Sequence, residues 1–206
     1  MPLKGRLINE ISPEDIHDLV LQAAPEDSFL EFKAELLDPR KPRERLDADR
    51  ADWVADLVAL ANAQGGHIVV GMEADDQERA TRLRPMLGDQ AKRLADSLRD
   101  LAIAHIKPNI VQLEVRCFEI TTAEWIVLAA IPDSQRKPHM SSYKGGTRFT
   151  VRDGNRKREM AYDEIQELYL NGPQQERLVQ VLTQIEAIKY QIESINSRLA
   201  DIQNEG

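Results

Sequence analysis

The sequence predicts a mixed α+β domain over residues 10–171, with one largely antiparallel sheet and flanking helices, followed by a C-terminal coiled-coil helix over residues 174–205. Three observations carry this reading. Helical and strand periodicities interleave in the order helix, strand, helix, strand, helix, hairpin, strand, helix. Two apolar runs, IVQLEVRCFEI and EWIVLAAIP, are separated only by the short polar TTA, which suits an antiparallel hairpin. After Pro173 the pattern turns into a strict heptad. At 206 residues and 42% apolar, the chain is long enough for one ordinary domain of about 100–200 residues plus an appendage.

The first element is SPEDIHDLVLQA, a helix with Ser12 at the N-cap, Pro13 at the first helical position and two acids in the first turn, where the helix dipole favours them. SFLEFKAEL then alternates as a half-buried strand does: Phe29, Glu31 and Lys33 face one way, Leu30 and Phe32 the other. The charged DPRKPRERLDADR reads as loop. DADRADWVADLVALANAQGG carries a helical apolar stripe through Trp53, Val54, Leu57, Val58, Leu60 and Ala61, with Gly65-Gly66 as its stop. HIVVGM follows as a buried strand, and EADDQER leaves it as an acidic loop. GDQAKRLADSLRDLAIAHI is a second amphipathic helix, the hairpin comes next, SSYKGG is a turn, TRFTVRD a strand, and YDEIQELYL a closing helix.

In the C-terminal segment Leu178, Ile185, Ile192 and Leu199 fall at a, and Val181, Ile188, Ile195 and Ile202 at d. Four a/d pairs without an internal Gly or Pro predict self-association. Isoleucine at both positions disfavours two strands and shifts preference toward trimers or tetramers, with a trimer favoured. Gln184, Gln191 and Asn196 at flanking positions offer little charge pairing to fix orientation.

A net charge of −8 and a pI near 5.1 argue against a protein whose whole surface binds a polyanion. The average hides a reversal: residues 131–158 hold eight Lys or Arg against two acids. Within that segment Lys137, His139, Lys144, Arg148, Arg152 and Arg156 are the candidate phosphate contacts. Few aromatics accompany them, which favours recognition of backbone and shape over base stacking. The single cysteine, Cys117, excludes an internal disulfide and suits a reducing compartment. No run approaches the roughly 18 apolar residues of a membrane span, and the N-terminal MPLKGRLINEISPEDI lacks a signal-peptide core, so a cytoplasmic location is expected.

Neither a phosphate-binding Gly-rich loop with its Lys-Ser/Thr nor a Cys/His cluster of zinc spacing occurs. Carboxylates are the better lead. Glu31 and Lys33 point the same way from one strand, Pro25 can turn Glu26 back toward Glu31, and Glu73, Asp75 or Asp76 follows the HIVVGM strand. Two or three converging carboxylates with a lysine are what a Mg2+ or Mn2+ site for phosphodiester cleavage needs: hard oxygens hold the metal, and the cation steadies charge on phosphate. A solvated charged strand face is the competing reading.

Three blocks, EDSFLEFK, LVALANAQGGHIVVGME and RFTVRDGNRKREMAYDEIQEL, together resemble the Schlafen AlbA_2 domain family, known from bacterial DNA-binding proteins and from Schlafen cores, over roughly residues 10–171. The resemblance implies a nucleic-acid-binding α+β module and, in some members, a metal-dependent endoribonuclease acting on tRNA or rRNA through three carboxylates. The first two match Glu26 and Glu31, spaced by five. The third, an aspartate in the family pattern, falls on Glu73, with Asp75 close behind. The function expected is therefore nucleic-acid binding, structured RNA before DNA, with Mg2+ or Mn2+ as the cofactor if the site cuts. The alternatives are a non-enzymatic DNA-binding regulator and an oligomeric protein-interaction adaptor.

Overall fold

The computed structural model describes residues 3–171, 180–193 and 195. The Ser12 hydroxyl accepts from the Asp15 N–H at 3.3 Å while the Asp15 carboxylate accepts from the Ser12 N–H at 2.8 Å. This reciprocal cap, with Pro13 at the first helical position, starts α1, Pro13–Leu21, as the sequence predicts. There follow β1 (Leu30–Lys33), α2 (Arg43–Asn62), β2 (Gly66–Val70), β3 (Met72–Ala74), β4 (Ala80–Leu83) and α3 (Gly88–His105). The second half holds β5 (Ile106–Lys107), β6 (Glu114–Thr121), β7 (Glu124–Ile131), β8 (Met140–Ser141), β9 (Thr150–Asp153), β10 (Arg156–Glu159) and α4 (Tyr162–Asn171).

The central sheet has the order β1-β2-β7-β6. Strands β1 and β2 run parallel, with Glu31 opposite Ile68, and every other pairing is antiparallel. Alternation along the strands sends apolar side chains to both faces, and each face has its own core. Ile68, Val70, Val127 and Ala129 pack with Trp53, Leu57 and Leu98 of α2 and α3. Val69, Ile126 and Leu128 pack with Leu30, Phe32 and with Ile16 and Leu19 of α1. Because Leu30 and Phe32 belong to the α1 face, Glu31 and Lys33 are turned toward α2. Cys117 is half-buried against the α2/α3 core.

Three segments differ from the sequence reading. The second half of the charged stretch read as loop, RERLDADR, is already helix, because Pro42 stands at the N-cap and Arg, Glu, Leu and Ala behind it are good helix formers. Its polarity belongs to the solvated side of α2. The acidic EADDQER is the turn of the β3–β4 hairpin: Asp75 Oδ1 accepts the Gln77 and Arg79 N–H groups at 2.9 Å each, closing the turn with a side chain. Strand β9 also acquires a partner in the RKRE of β10, a run whose charge gave no strand signal.

Gly65-Gly66 links α2 to β2 with φ of +75° and +150°. A Cβ at Gly66 would collide with the Phe29 carbonyl, and one at Gly65 would lie 2.5 Å from the Ile131 carbonyl oxygen. Gly66→Ala is expected to lower stability by about 2 kcal/mol or more, since strained backbone and a main-chain clash combine. Urea unfolding monitored by circular dichroism measures it.

Residues 180–193 are helical. Val181, Ile185, Ile188 and Ile192 are each 50–55% exposed there, and Ile195 is 56% exposed. The other heptad positions, Leu178, Leu199 and Ile202, and the flanking Asn196, lie outside the described residues, as do both predicted ends of the segment. Among the described residues no helix is long and apolar enough to cross a membrane.

Candidate functional site: a shared charge network and an arginine face

Glu31 and Lys33 leave β1 toward α2 and enter a continuous ionic network. Glu31 Oε2 meets Arg152 Nη1 at 2.5 Å and Glu31 Oε1 meets Lys33 Nζ at 2.8 Å. Lys33 Nζ also reaches Asp52 and Asp56, at 2.8 and 2.9 Å. Lys157, from β10, closes on the same two acids at 2.5 and 2.7 Å. Glu26 stands at the other end, its Oε1 accepting the Phe32 N–H at 2.9 Å and its Oε2 lying 3.8 Å from Arg152 Nη2. Four carboxylates thus alternate with three cations.

Burial and charge divide these groups. Burial first, then the charge of Glu31, push the Glu26 carboxyl up to about 7, against the pull of the Phe32 N–H and Arg152. Burial alone would lower Lys33, but Asp56, Glu31 and Asp52 outweigh it and hold the ammonium above its ordinary value. Asp52 opposes burial with the charges of Lys33 and Lys157 and sits at about 2, whereas deeper burial pushes Asp56 upward. Asp56 Oδ2 lies in ion-pair range of Lys33 without hydrogen-bond geometry, so the ammonium serves that oxygen by charge alone.

Arg152 is the centre of this arrangement. Only 3% of its side chain is exposed. Nε donates to the Asp27 carbonyl at 3.1 Å and Nη2 to the Leu30 carbonyl at 3.4 Å, so the guanidinium also covers the open edge of β1. It is therefore a clamp between β9 and β1 rather than a surface phosphate contact.

The remaining predicted cations divide likewise. His139 is fully buried: Nδ1 donates to the Pro108 carbonyl at 2.7 Å, and Nε2 accepts from Ser134 Oγ at 2.6 Å. Its backbone N–H donates to Asn62 Oδ1 at 2.6 Å, and Asn62 Nδ2 returns to the His139 carbonyl at 2.8 Å. Burial holds this imidazole below its ordinary pKa, and the residue is a structural hub in place of the phosphate contact expected. Lys137 caps the end of α2 through the Ala63 carbonyl and pairs with Asp133 at 2.7 Å. Lys144, paired with Asp47 at 2.6 Å, Arg148, 3.8 Å from Glu159, and Arg156 remain on the surface.

The predicted third carboxylates are taken by arginines of the β3–β4 hairpin. Glu73 is held by Arg82 at 2.8 Å and Arg84 at 3.1 Å, and Asp75 by Arg79 at 2.9 Å. Among the described residues no group of three or more His, Cys, Asp or Glu is arranged to hold a metal ion. The carboxylate oxygens of the network already face Lys33, Arg152, Lys157 and the Phe32 N–H, so the donor set as arranged does not fit Mg2+ or Mn2+.

Sequence reasoning passed over two groups. Asp52 and Asp56 are one helical turn apart on α2, and an acid inside the apolar stripe WVADLVAL was the visible signal for Asp56. Arg79, Arg82 and Arg84 were hidden by the neighbouring acids in MEADDQERATRLR. They project from the β3–β4 hairpin with side chains 46–67% exposed. Asn155, in the β9–β10 turn, hydrogen-bonds Glu78 in the β3–β4 turn. Arg79 and Arg156 therefore stand on adjoining turns, and the two arginine-bearing hairpins meet at their tips.

Comparison with known proteins gives the following. The family model described as Schlafen, AlbA_2 matches residues 26–161. Among solved structures, the DIP2311 protein from Corynebacterium diphtheriae is 19% identical with a TM-score of 0.44, over 70% of this chain and 25% of that one. The chain thus spans about a quarter of that protein's length. The N-terminal domain of a RecG-related protein from Nitrosomonas europaea is 16% identical with a TM-score of 0.44, over 69% of this chain and 88% of that one. Among curated proteins none matches the chain.

Proposed function

The chain belongs to the Schlafen, AlbA_2 family, a family of nucleic-acid-related function, and from that premise we propose that it binds the sugar-phosphate backbone of structured RNA, with duplex DNA as the alternative target. The observation that carries this reading is the Asn155–Glu78 contact, which joins the β3–β4 and β9–β10 hairpins into one arginine face on an otherwise acidic protein. Arg79, Arg82, Arg84 and Arg156 on that face supply salt-sensitive phosphate contacts. The buried network behind it fixes β9 against β1 and so holds the face in shape. Copies of the chain associate through the exposed a/d stripe of the C-terminal helix, which makes binding multivalent.

A second reading, RNA cleavage, is favoured by Glu26. A carboxyl that keeps its proton to about pH 7 beside Lys33 and Arg152 has the properties of a general acid or base. Labelled tRNA and duplex DNA incubated with the protein, in Mn2+ or in chelator, separate the readings. The expected result is retention of intact RNA under both conditions. Metal-dependent cleavage lost in Glu31→Gln would establish the endoribonuclease instead. Retention of DNA alone points to a DNA-binding regulator, and retention of neither points to a protein-interaction adaptor.

A further inference from the structure

A groove of about 740 Å³ opens between the segment that follows β1, the Arg84–Met86 stretch that follows β4, and the start of α3. That volume lies within the roughly 300–1,000 Å³ of small-molecule sites. Its floor is apolar: Leu36 is buried, and Leu37, Met86 and Leu94 are packed on the α2/α3 core. Its exposed rim carries Arg84, Gln90, Arg93 and Ser97.

The acids at the rim are already matched. Asp38 takes Arg40 Nη2 at 2.8 Å, and Glu35 takes Lys41 at 3.2 Å. Arg84 is drawn off the groove toward Glu73 at 3.1 Å. Arg93 has no ion-pair partner among the described residues and stands exposed on the second turn of α3. A groove with an uncommitted guanidinium at its mouth, amide and hydroxyl groups along its rim and an aliphatic floor matches one ligand chemistry well. A phosphate meets the arginine, a flat heterocycle lies on the floor, and its polar edge meets Gln90 and Ser97. Arg84 belongs both to this rim and to the arginine face.

We propose that this groove is a subsite for one unpaired nucleotide of the nucleic acid gripped by the arginine face, with Arg93 on its phosphate and Leu36, Met86 and Leu94 beneath its base. The proposal rests on the nucleic-acid reading above and adds a preference for single-stranded ends or bulges next to a duplex. The occupant is a nucleotide continuous with a bound backbone, because the basic face leads to the groove through Arg84.

The test uses the full chain and two labelled RNA hairpins, one blunt and one with a short single-stranded extension, in fluorescence anisotropy. Burying one base face on the aliphatic floor contributes on the order of a tenfold gain in affinity, so the extended hairpin binds about tenfold more tightly than the blunt one. Arg93→Glu removes that gain and leaves blunt-hairpin affinity within about threefold of wild type, the cost of one phosphate contact near a charge reversal. Equal affinity of wild type for the two hairpins, or an equal loss on both in Arg93→Glu, overturns the subsite and leaves the nucleic-acid reading standing. Failure of wild type to bind either hairpin overturns both.

Discussion

Replacing Arg152 with alanine is expected to destabilise the domain by about 3–5 kcal/mol, the cost of leaving buried charges without their partner. For a domain of this size that corresponds to a fall in Tm of about 10 °C or more. The reasons are local and additive in direction. Glu31 loses its 2.5 Å partner, Glu26 loses its nearest cation, and the Asp27 and Leu30 carbonyls at the open edge of β1 lose their donor. The loss should depend on pH. A glutamate in the unfolded chain releases its proton near 4.5, while Glu26 in the fold holds it to about 7. Its protonation therefore contributes stability that is full below 4.5 and gone once pH has risen through 7. Without Arg152 only Lys33 and the Phe32 N–H still offset the repulsion between two ionised glutamates, and protonation of Glu26 relieves the rest. Thermal melts should show a larger Tm deficit at pH 8 than at pH 5.5, and a deficit that does not vary with pH would count against the Glu26–Glu31 coupling.

Introducing glutamate at Ile185 and Ile188 together is the second large effect. Both side chains are 55% exposed in the single chain, and both lie on the a/d stripe. In a coiled coil two charges per helix would face the seam, where they are strongly unfavourable. The wild-type chain should elute with light scattering near three times its 23.4 kDa mass, and the double variant at that mass itself. Because Ile185 and Ile188 are exposed and belong to neither buried core cluster, the Tm of the domain should stay unchanged. Affinity for a long structured RNA should fall by about a hundredfold as multivalent binding becomes monovalent. Removal of residues 174–206 should reproduce both results, whereas a monomeric variant with full affinity would separate self-association from binding.

What was legible in the sequence was what local periodicity and capping decide. The Ser12–Asp15 cap, α3 and the β6–β7 hairpin each follow from residues within one turn or one strand of each other. The split of β1, with Leu30 and Phe32 on one face and Glu31 and Lys33 on the other, was likewise fixed by a period of two. The partners those two charges would take were not legible. Arg152, Asp52, Asp56 and Lys157 lie between 19 and 126 positions away in the chain, and only the pairing of β1 with β2 and the packing of α2 against β9 bring them together. Composition also misled where charge and structure disagreed: His139 in RKPHM read as a phosphate contact among its basic neighbours, yet Asn62 at the end of α2 draws its backbone into the core. The arginines of β4 were masked in the same way, since their neighbouring acids cancelled them in any local count of charge.

Affinity for a labelled structured RNA, measured by anisotropy across a salt series, tests the arginine face most directly. Wild type should lose affinity steeply with salt, with log Kd linear in log salt concentration. Arg82→Glu combined with Arg156→Glu places one reversal on each hairpin, and both side chains lie outside the buried network. The double variant should bind at least about tenfold more weakly and show a salt slope reduced by about two, one for each phosphate contact removed. A double variant with wild-type affinity and an unchanged slope would contradict the assignment of this face to the phosphate backbone.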